Sequence, residues 1–292
     1  MTARRPPGWL VDGSLVCMTL IWGATFIMVK RALADASTLL FLTIRFAGAS
    51  LILAMIFRRD FRAGKIAWSV RGGALAGVCL FSGYIFQTVG LRYTTASKAA
   101  FLTGLMTPMV AVLSVFFYRR APQFAEVLGV ATAFVGMALM TIPGDRFQIS
   151  SGDLIVSGCA VAYAFHLLVT GRFAARVNMG VFITTEIATG AAIGAATFWW
   201  TEPVRLRWSF PLIAALAVTS LLATALGFTI QTWAQRWSSP TRTALFFTLE
   251  PVFAWLTSYL FAGETLSLRA ALGAALILAG VLLVELKPFR LI

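Results

Sequence analysis

The chain has 292 residues, 59% of them hydrophobic and only 12% charged, with a mean hydropathy of +0.86. Soluble domains carry roughly 25% charged residues, so this composition excludes a water-soluble globule. The net charge of +13 would point to nucleic acid in a soluble chain, but no Lys/Arg run with interleaved aromatics occurs here.

Ten stretches approach the length of about 20 apolar residues that a membrane-crossing helix needs. They are 13–30, 38–57, 69–91, 97–117, 124–142, 153–170, 180–200, 210–233, 241–261 and 268–286. None alternates with a period of two, as a barrel strand would. The expected fold is therefore an all-α membrane protein. Arg4 and Arg5 precede the first run as in a signal peptide, but no A-x-A site follows and nine more spans do, so the first run reads as a retained span. Cys17, Cys79 and Cys159 all fall inside spans and read as packing residues. No metal or other cofactor is expected. No G-x-x-x-x-G-K-S/T loop is present, which argues against ATP as the driving force.

The chain is one unit written twice. Gly83, Tyr84, Gln87, Thr88, Arg92, Tyr93 and Thr94 recur 144 residues on as Gly227, Phe228, Gln231, Thr232, Arg236, Trp237 and Ser238. Lys98 matches Arg242, and Gly129 and Gly136 match Gly273 and Gly280, at the same offset of 144. Trp22, Arg31, Phe41 and Thr43 match Tyr163, Arg172, Phe182 and Thr184 at 141, and Pro108 matches Pro251 at 143. Each unit holds five spans. Five is odd, so the second unit is inverted relative to the first, about an axis in the membrane plane. The divide falls near Pro143–Ser151, giving repeats over 1–146 and 147–292. Assigning connectors to alternate sides puts fifteen of the 24 Lys and Arg residues on the side of the N-terminus, eight on the other and Arg45 within a span. By the positive-inside rule both termini are expected in the cytoplasm.

Ionisable residues inside a bilayer cost about 2.5–3.5 kcal/mol each on insertion scales, so they mark functional positions. Glu250 lies roughly 12 Å into the ninth span at 1.5 Å per residue, and Pro251 after it frees a backbone carbonyl one turn earlier. It is either a cation-, amine- or proton-binding group or a protonated or Arg-paired acid that fixes packing. Arg45 and Glu186 occupy matched positions 141 apart; they are either a charge pair that exchanges partners or structural, snorkelling residues. His166, the single histidine, is a proton relay or an interhelical hydrogen-bonding residue. Tyr84, Gln87, Thr88 and Thr103, with Phe228, Gln231, Thr232 and Thr248, form two helix faces that inversion would turn toward one cavity. The alternative for them is polar glue between helices. Trp22 and Tyr163 mark a position where the halves differ. Gly73/Gly77, Gly190/Gly194 and the Gly129/Gly136 and Gly273/Gly280 pairs read as close-approach sites between helices. Glu264 and Ser267 read as caps on the last span.

These motifs have a recognisable order. W-G-A-T-F at 22–26 is followed by Lys30, then Arg45-Phe46, Y-T-T-A-S-K-A-A-F-L-T-G-L at 93–105, L-E-P-V-F-A at 249–254, Gly263-Glu264 and L-G-A-A-L-I-L-A-G at 272–280. The chain resembles, over both halves, the EamA family of the drug/metabolite transporter superfamily in its ten-span form. The resemblance implies two inverted five-helix repeats around a central cavity, alternating access, and peripheral helices five and ten. One departure is that Arg120-Ala121 stands where the first repeat would need a match to Gly263-Glu264.

The expected function is a secondary active transporter of the bacterial inner membrane, exporting an amino acid or related small metabolite. Pro108 and Pro251 would bend spans four and nine as gates. Expected partners are the small-molecule substrate and the lipid bilayer, with no nucleic acid, in a monomer or homodimer. An uncoupled facilitator or a lipid scramblase-like protein of the same architecture is the alternative. An enzyme is not expected, because no grouped catalytic motif occurs.

Overall fold

The structure is a computed structural model and describes residues 6–62, 66–94, 96–119, 123–141, 150–262 and 267–285. Ten helical rods follow one another along these residues. They are α1 (Gly8–Ala32), α2 (Thr38–Ile56), α3 (Ile66–Leu91), α4 (Ala96–Gly104 and Met106–Tyr118), α5 (Phe124–Thr141), α6 (Ser151–Phe173), α7 (Met179–Thr201), α8 (Phe210–Val218, Thr219–Leu226 and Gly227–Ala234), α9 (Pro240–Phe247 and Glu250–Ala262) and α10 (Leu268–Glu285). Seven of the described helices are long and apolar enough to cross a membrane, and the apolar stretches of α5 and α10 are shorter. No strand forms among the described residues beyond one isolated bridge, Ala36 with Leu206.

The helix starts follow local chemistry. Ser150 and Asp153 form a reciprocal capping box at α6, Asn178 caps α7, Ser209 caps α8 and Ser239 caps α9 just before Pro240. The Ser267 hydroxyl accepts from the Ala270 amide at 3.1 Å at the start of α10. Glu264, and most of the connector at Pro143–Ser151, lie outside the described residues.

Two rods are broken beside proline. Pro108 cannot donate to the Gly104 carbonyl, nor Pro251 to the Phe247 carbonyl, because the ring nitrogen carries no hydrogen. The chain answers with tighter three-residue turns: the Leu105 amide donates to Leu102 O at 3.2 Å, and the Thr248 and Leu249 amides donate to Leu245 O and Phe246 O at 3.1 and 3.0 Å. The middle of α8 departs differently, as an eight-residue π-helix over Thr219–Leu226.

The halves pack as an inverted pair. α3 lies on α6 and α7, and its counterpart α8 lies on α1 and α2; α4 packs on α6 as α9 packs on α1. Helices that pair with their own counterparts cross antiparallel. A Cβ added at Gly136 would stand 2.6 Å from Gly273 O, and one at Gly280 would stand 2.5 Å from Gly129 O, so α5 and α10 run in opposite directions at backbone contact. Gly190 abuts Phe46 while Gly194 abuts Thr43, which orients α7 against α2 in the same way. Gly73 and Gly77 let α3 reach the α7 backbone, where an added Cβ would stand 2.4 Å from Phe182 O and from Glu186 O. Without a hydrophobic force between helices in lipid, such close contacts carry the association.

The polarity is inside out. Arg45, His166, Glu186, Gln231, Gln235 and Glu250 are buried, while large apolar side chains such as Leu51, Met55, Phe116 and Leu260 are exposed where lipid tails would lie. Exposed Trp9, Trp68, Trp199, Trp200 and Trp208 sit near helix ends, where indoles favour the membrane interface.

Candidate functional site

Between the halves is a cavity. Its walls come from both repeats. Trp22, Tyr84, Gln87, Thr103, His166, Phe228, Gln231, Glu250 and Arg45 all line it. Thr248 does not. Its hydroxyl turns back to Leu245 O at 2.6 Å in the break of α9, and the neighbouring Phe247 faces the cavity instead. Phe247, not Thr248, is the residue 144 after Thr103, so the repeat register already pointed there. Thr25, Phe26, Val29, Met106 and Leu167 complete much of the wall; the four apolar ones are of types that carry no signal separating cavity from core.

An aromatic cluster shapes the chamber. The Trp22 ring packs 5.1 Å from Phe228 and 5.0 Å from Phe247, and Tyr84 packs against Phe46, Tyr163 and Phe228 at 5.1, 5.7 and 6.2 Å. Trp22 is held by a hydrogen bond from its Nε1 to Ala223 O at 2.8 Å. That carbonyl belongs to the π-helical segment of α8, whose widened turn leaves acceptors for side chains.

Charge is distributed unevenly along the walls. Arg45, 4% exposed, donates from Nε to Thr224 Oγ1 at 2.8 Å and from Nη2 to the Tyr84 hydroxyl at 2.9 Å. Glu186, fully buried, is hydrogen-bonded to His166 Nε2 at 2.7 Å. Arg45 and Glu186 therefore do not pair with each other in this arrangement, and neither residue snorkels. The reason is geometric: symmetry mates meet only on the symmetry axis. α2 turns Arg45 to α3 and α8, whereas α7 turns Glu186 to α6. Glu250, 7% exposed, faces the cavity at the first residue after the α9 break and makes no ion pair among the described residues. Pro108 and Pro251 stand behind the breaks and do not line the cavity.

Ion pairs stand at the two ends of the bundle. At the start of α1 and α9, Asp12 accepts from Arg242 Nη2 at 2.9 Å. At the start of α4 and α6, on the opposite face, Asp153 pairs with Lys98 at 3.3 Å and accepts from the Thr94 hydroxyl. These pairs are repeat mates: Lys98 with Arg242 at 144, and Asp12 with Asp153 at 141. Lys30 Nζ donates to Thr94 O at 2.7 Å beside the second pair.

Comparison with known proteins agrees with this architecture. The sequence model of the EamA-like transporter family matches residues 10–142 and again 150–286. An uncharacterised transporter of Archaeoglobus fulgidus is 31% identical over 276 residues, covering 94% of this chain and 86% of that one. The uncharacterised transporter YvbV of Bacillus subtilis is 26% identical, covering 94% and 90%. The chloroplastic WAT1-related protein At3g02690 of Arabidopsis thaliana is 24% identical, covering 93% and 68%. A solved crystal structure superposes with a TM-score of 0.77 at 17% identity, over 93% of this chain and 95% of that one, a likeness of fold.

Proposed function

The chain belongs to the EamA-like transporter family, and on that premise we propose that it is a secondary active transporter that exports amino acids or related small metabolites by alternating access. The observation that carries this reading is the chamber between the repeats, which holds one cation, Arg45, and one acid, Glu250, within an aromatic lining. A zwitterion finds complementary charge at both groups and apolar cover between them.

In the mechanism, the halves rock about the chamber. Opening toward the N-terminal face breaks Asp12–Arg242; opening toward the other face breaks Lys98–Asp153. The breaks at Pro108 and Pro251 let α4 and α9 bend as gates. Glu250 takes the amine or a proton, so its occupancy couples substrate to pH. The working membrane is the bacterial inner membrane with both termini in the cytoplasm, and each monomer, alone or in a homodimer, contains a complete chamber.

The test is a thermal-shift screen of purified protein against amino acids and related metabolites, followed by counterflow of the stabilising compounds in proteoliposomes. Glu250→Gln is expected to lose uphill accumulation and its pH dependence while the protein remains folded. Full accumulation with unchanged pH dependence would remove Glu250 from the coupling step. Absence of uphill movement in the parent protein under an imposed pH gradient would favour an uncoupled facilitator.

A further inference from the structure

Gln231 is 1% exposed, lines the chamber, and has a side-chain oxygen with no hydrogen-bond partner among the described residues. Its orientation is not free. The Leu167 backbone carbonyl can only accept, so the Gln235 amide must turn its NH2 toward it, at 2.9 Å. Gln235 then offers only its oxygen to Gln231, which must donate its own NH2, at 3.2 Å. The Gln231 oxygen is left pointing elsewhere, as an acceptor, by a chain of bonds anchored on main chain.

Several hydroxyls of the wall are already engaged. The hydroxyls of Thr25 and Thr103 donate to Trp22 O and Ala99 O, both at 2.8 Å, and that of Tyr163 donates to Gln87 Oε1 at 3.2 Å. An unmade acceptor in a buried site is costly, so it gains most from a donor brought by a ligand. The other half lacks this feature. Gln87, the mate of Gln231, uses both ends of its amide, donating to Thr103 at 3.0 Å and accepting from Tyr163. Leu91 stands where the relay residue Gln235 stands in the second half, 144 residues apart.

We propose that Gln231 is a specificity-determining residue that, with the Glu250 carboxyl in the same wall, selects substrates whose ammonium group carries N–H over quaternary ammonium compounds of equal charge. This rests on the reading of the chamber as the substrate site. A primary ammonium donates to the Gln231 oxygen and neutralises Glu250; a trimethylammonium does only the second.

The experiment measures binding of phenylalanine and its N,N,N-trimethyl betaine to the purified full chain by thermal shift. The parent protein is expected to bind the primary amine about tenfold more tightly, the effect of one hydrogen bond to a charged donor. Gln231→Leu, similar in volume, is expected to bring the two within about twofold. Gln235→Leu, which leaves Gln231 in place but frees its amide to turn over, is expected to reduce the preference in part. Equal binding by the parent protein, or an undiminished preference in Gln231→Leu, would overturn the acceptor role. If both probes bind equally and Glu250→Gln weakens both, the chamber stands as a cation site and only the acceptor falls. If neither binds, the chamber as an amine site falls with it.

Discussion

At the scale of single residues, the buried ionisable groups were legible because apolar spans make them conspicuous. Arg45, His166, Glu186 and Glu250 stand out in sequence for that reason. Their partners did not. Which way α2 and α7 turn their side chains depends on helix rotation, and the mean apolarity of these helices carries almost no periodic signal to fix it. Thus His166 pairs with Glu186, while Arg45 bonds Thr224 and Tyr84. This arrangement predicts unequal costs. Removing one member of a buried hydrogen-bonded pair leaves the other unsatisfied, at about 1–3 kcal/mol, whereas removing both restores an apolar contact. His166→Leu and Glu186→Leu are each expected to lower the unfolding temperature in detergent more than the double variant does. Additive losses would mean the two side chains do not depend on each other. Arg45→Ala is expected to weaken substrate binding, with Arg45→Lys recovering charge but not both of the bonds that Nε and Nη2 make. Equal affinity in all three proteins, measured by thermal shift with an amino-acid ligand, would contradict this.

At the scale of elements, the ten spans were read from hydropathy, and the described helices occupy the same stretches, most of them with longer ends. Pro108 and Pro251 announced the breaks of α4 and α9, since a missing N–H is written in the sequence. The π-helix of α8 was not readable: its residues, TSLLATAL, contain no proline or glycine. Its widened turn is bound to neighbours that sequence does not display, Trp22 at Ala223 O and Arg45 at Thr224. The glycine contacts were readable as a pattern, though not which helix each glycine meets. Gly136→Leu drives a side chain into the α10 backbone and is expected to cost about 1–3 kcal/mol or more as overpacking. A lowered unfolding temperature checks it; an unchanged one would show that α5 and α10 separate without loss. Pro251→Ala restores the missing donor and is expected to leave stability unchanged or raised while slowing counterflow, because a continuous α9 resists bending.

At the scale of the whole molecule, the duplication and its inversion were legible from offsets and span parity. The end-to-end symmetry of the ion pairs was not, because Asp12 and Asp153 carry no motif and meet Arg242 and Lys98 only in the folded bundle. Two mated pairs on opposite faces would serve the proposed alternating access as equivalent latches, with the asymmetric chamber between them. If the halves rock as proposed, weakening one latch opens the chamber to that side alone. The measurement places a cysteine at Thr25, in the chamber wall, in a chain with Cys17, Cys79 and Cys159 replaced by Ala, and follows its labelling by a membrane-impermeant maleimide from each side. Partly exposed ion pairs are worth about 1 kcal/mol, which corresponds to about a fivefold shift between states. Asp12→Ala is expected to raise labelling about fivefold from the N-terminal face only, and Lys98→Ala from the opposite face only. Both variants raising labelling from the same side, or neither changing it, would contradict the account.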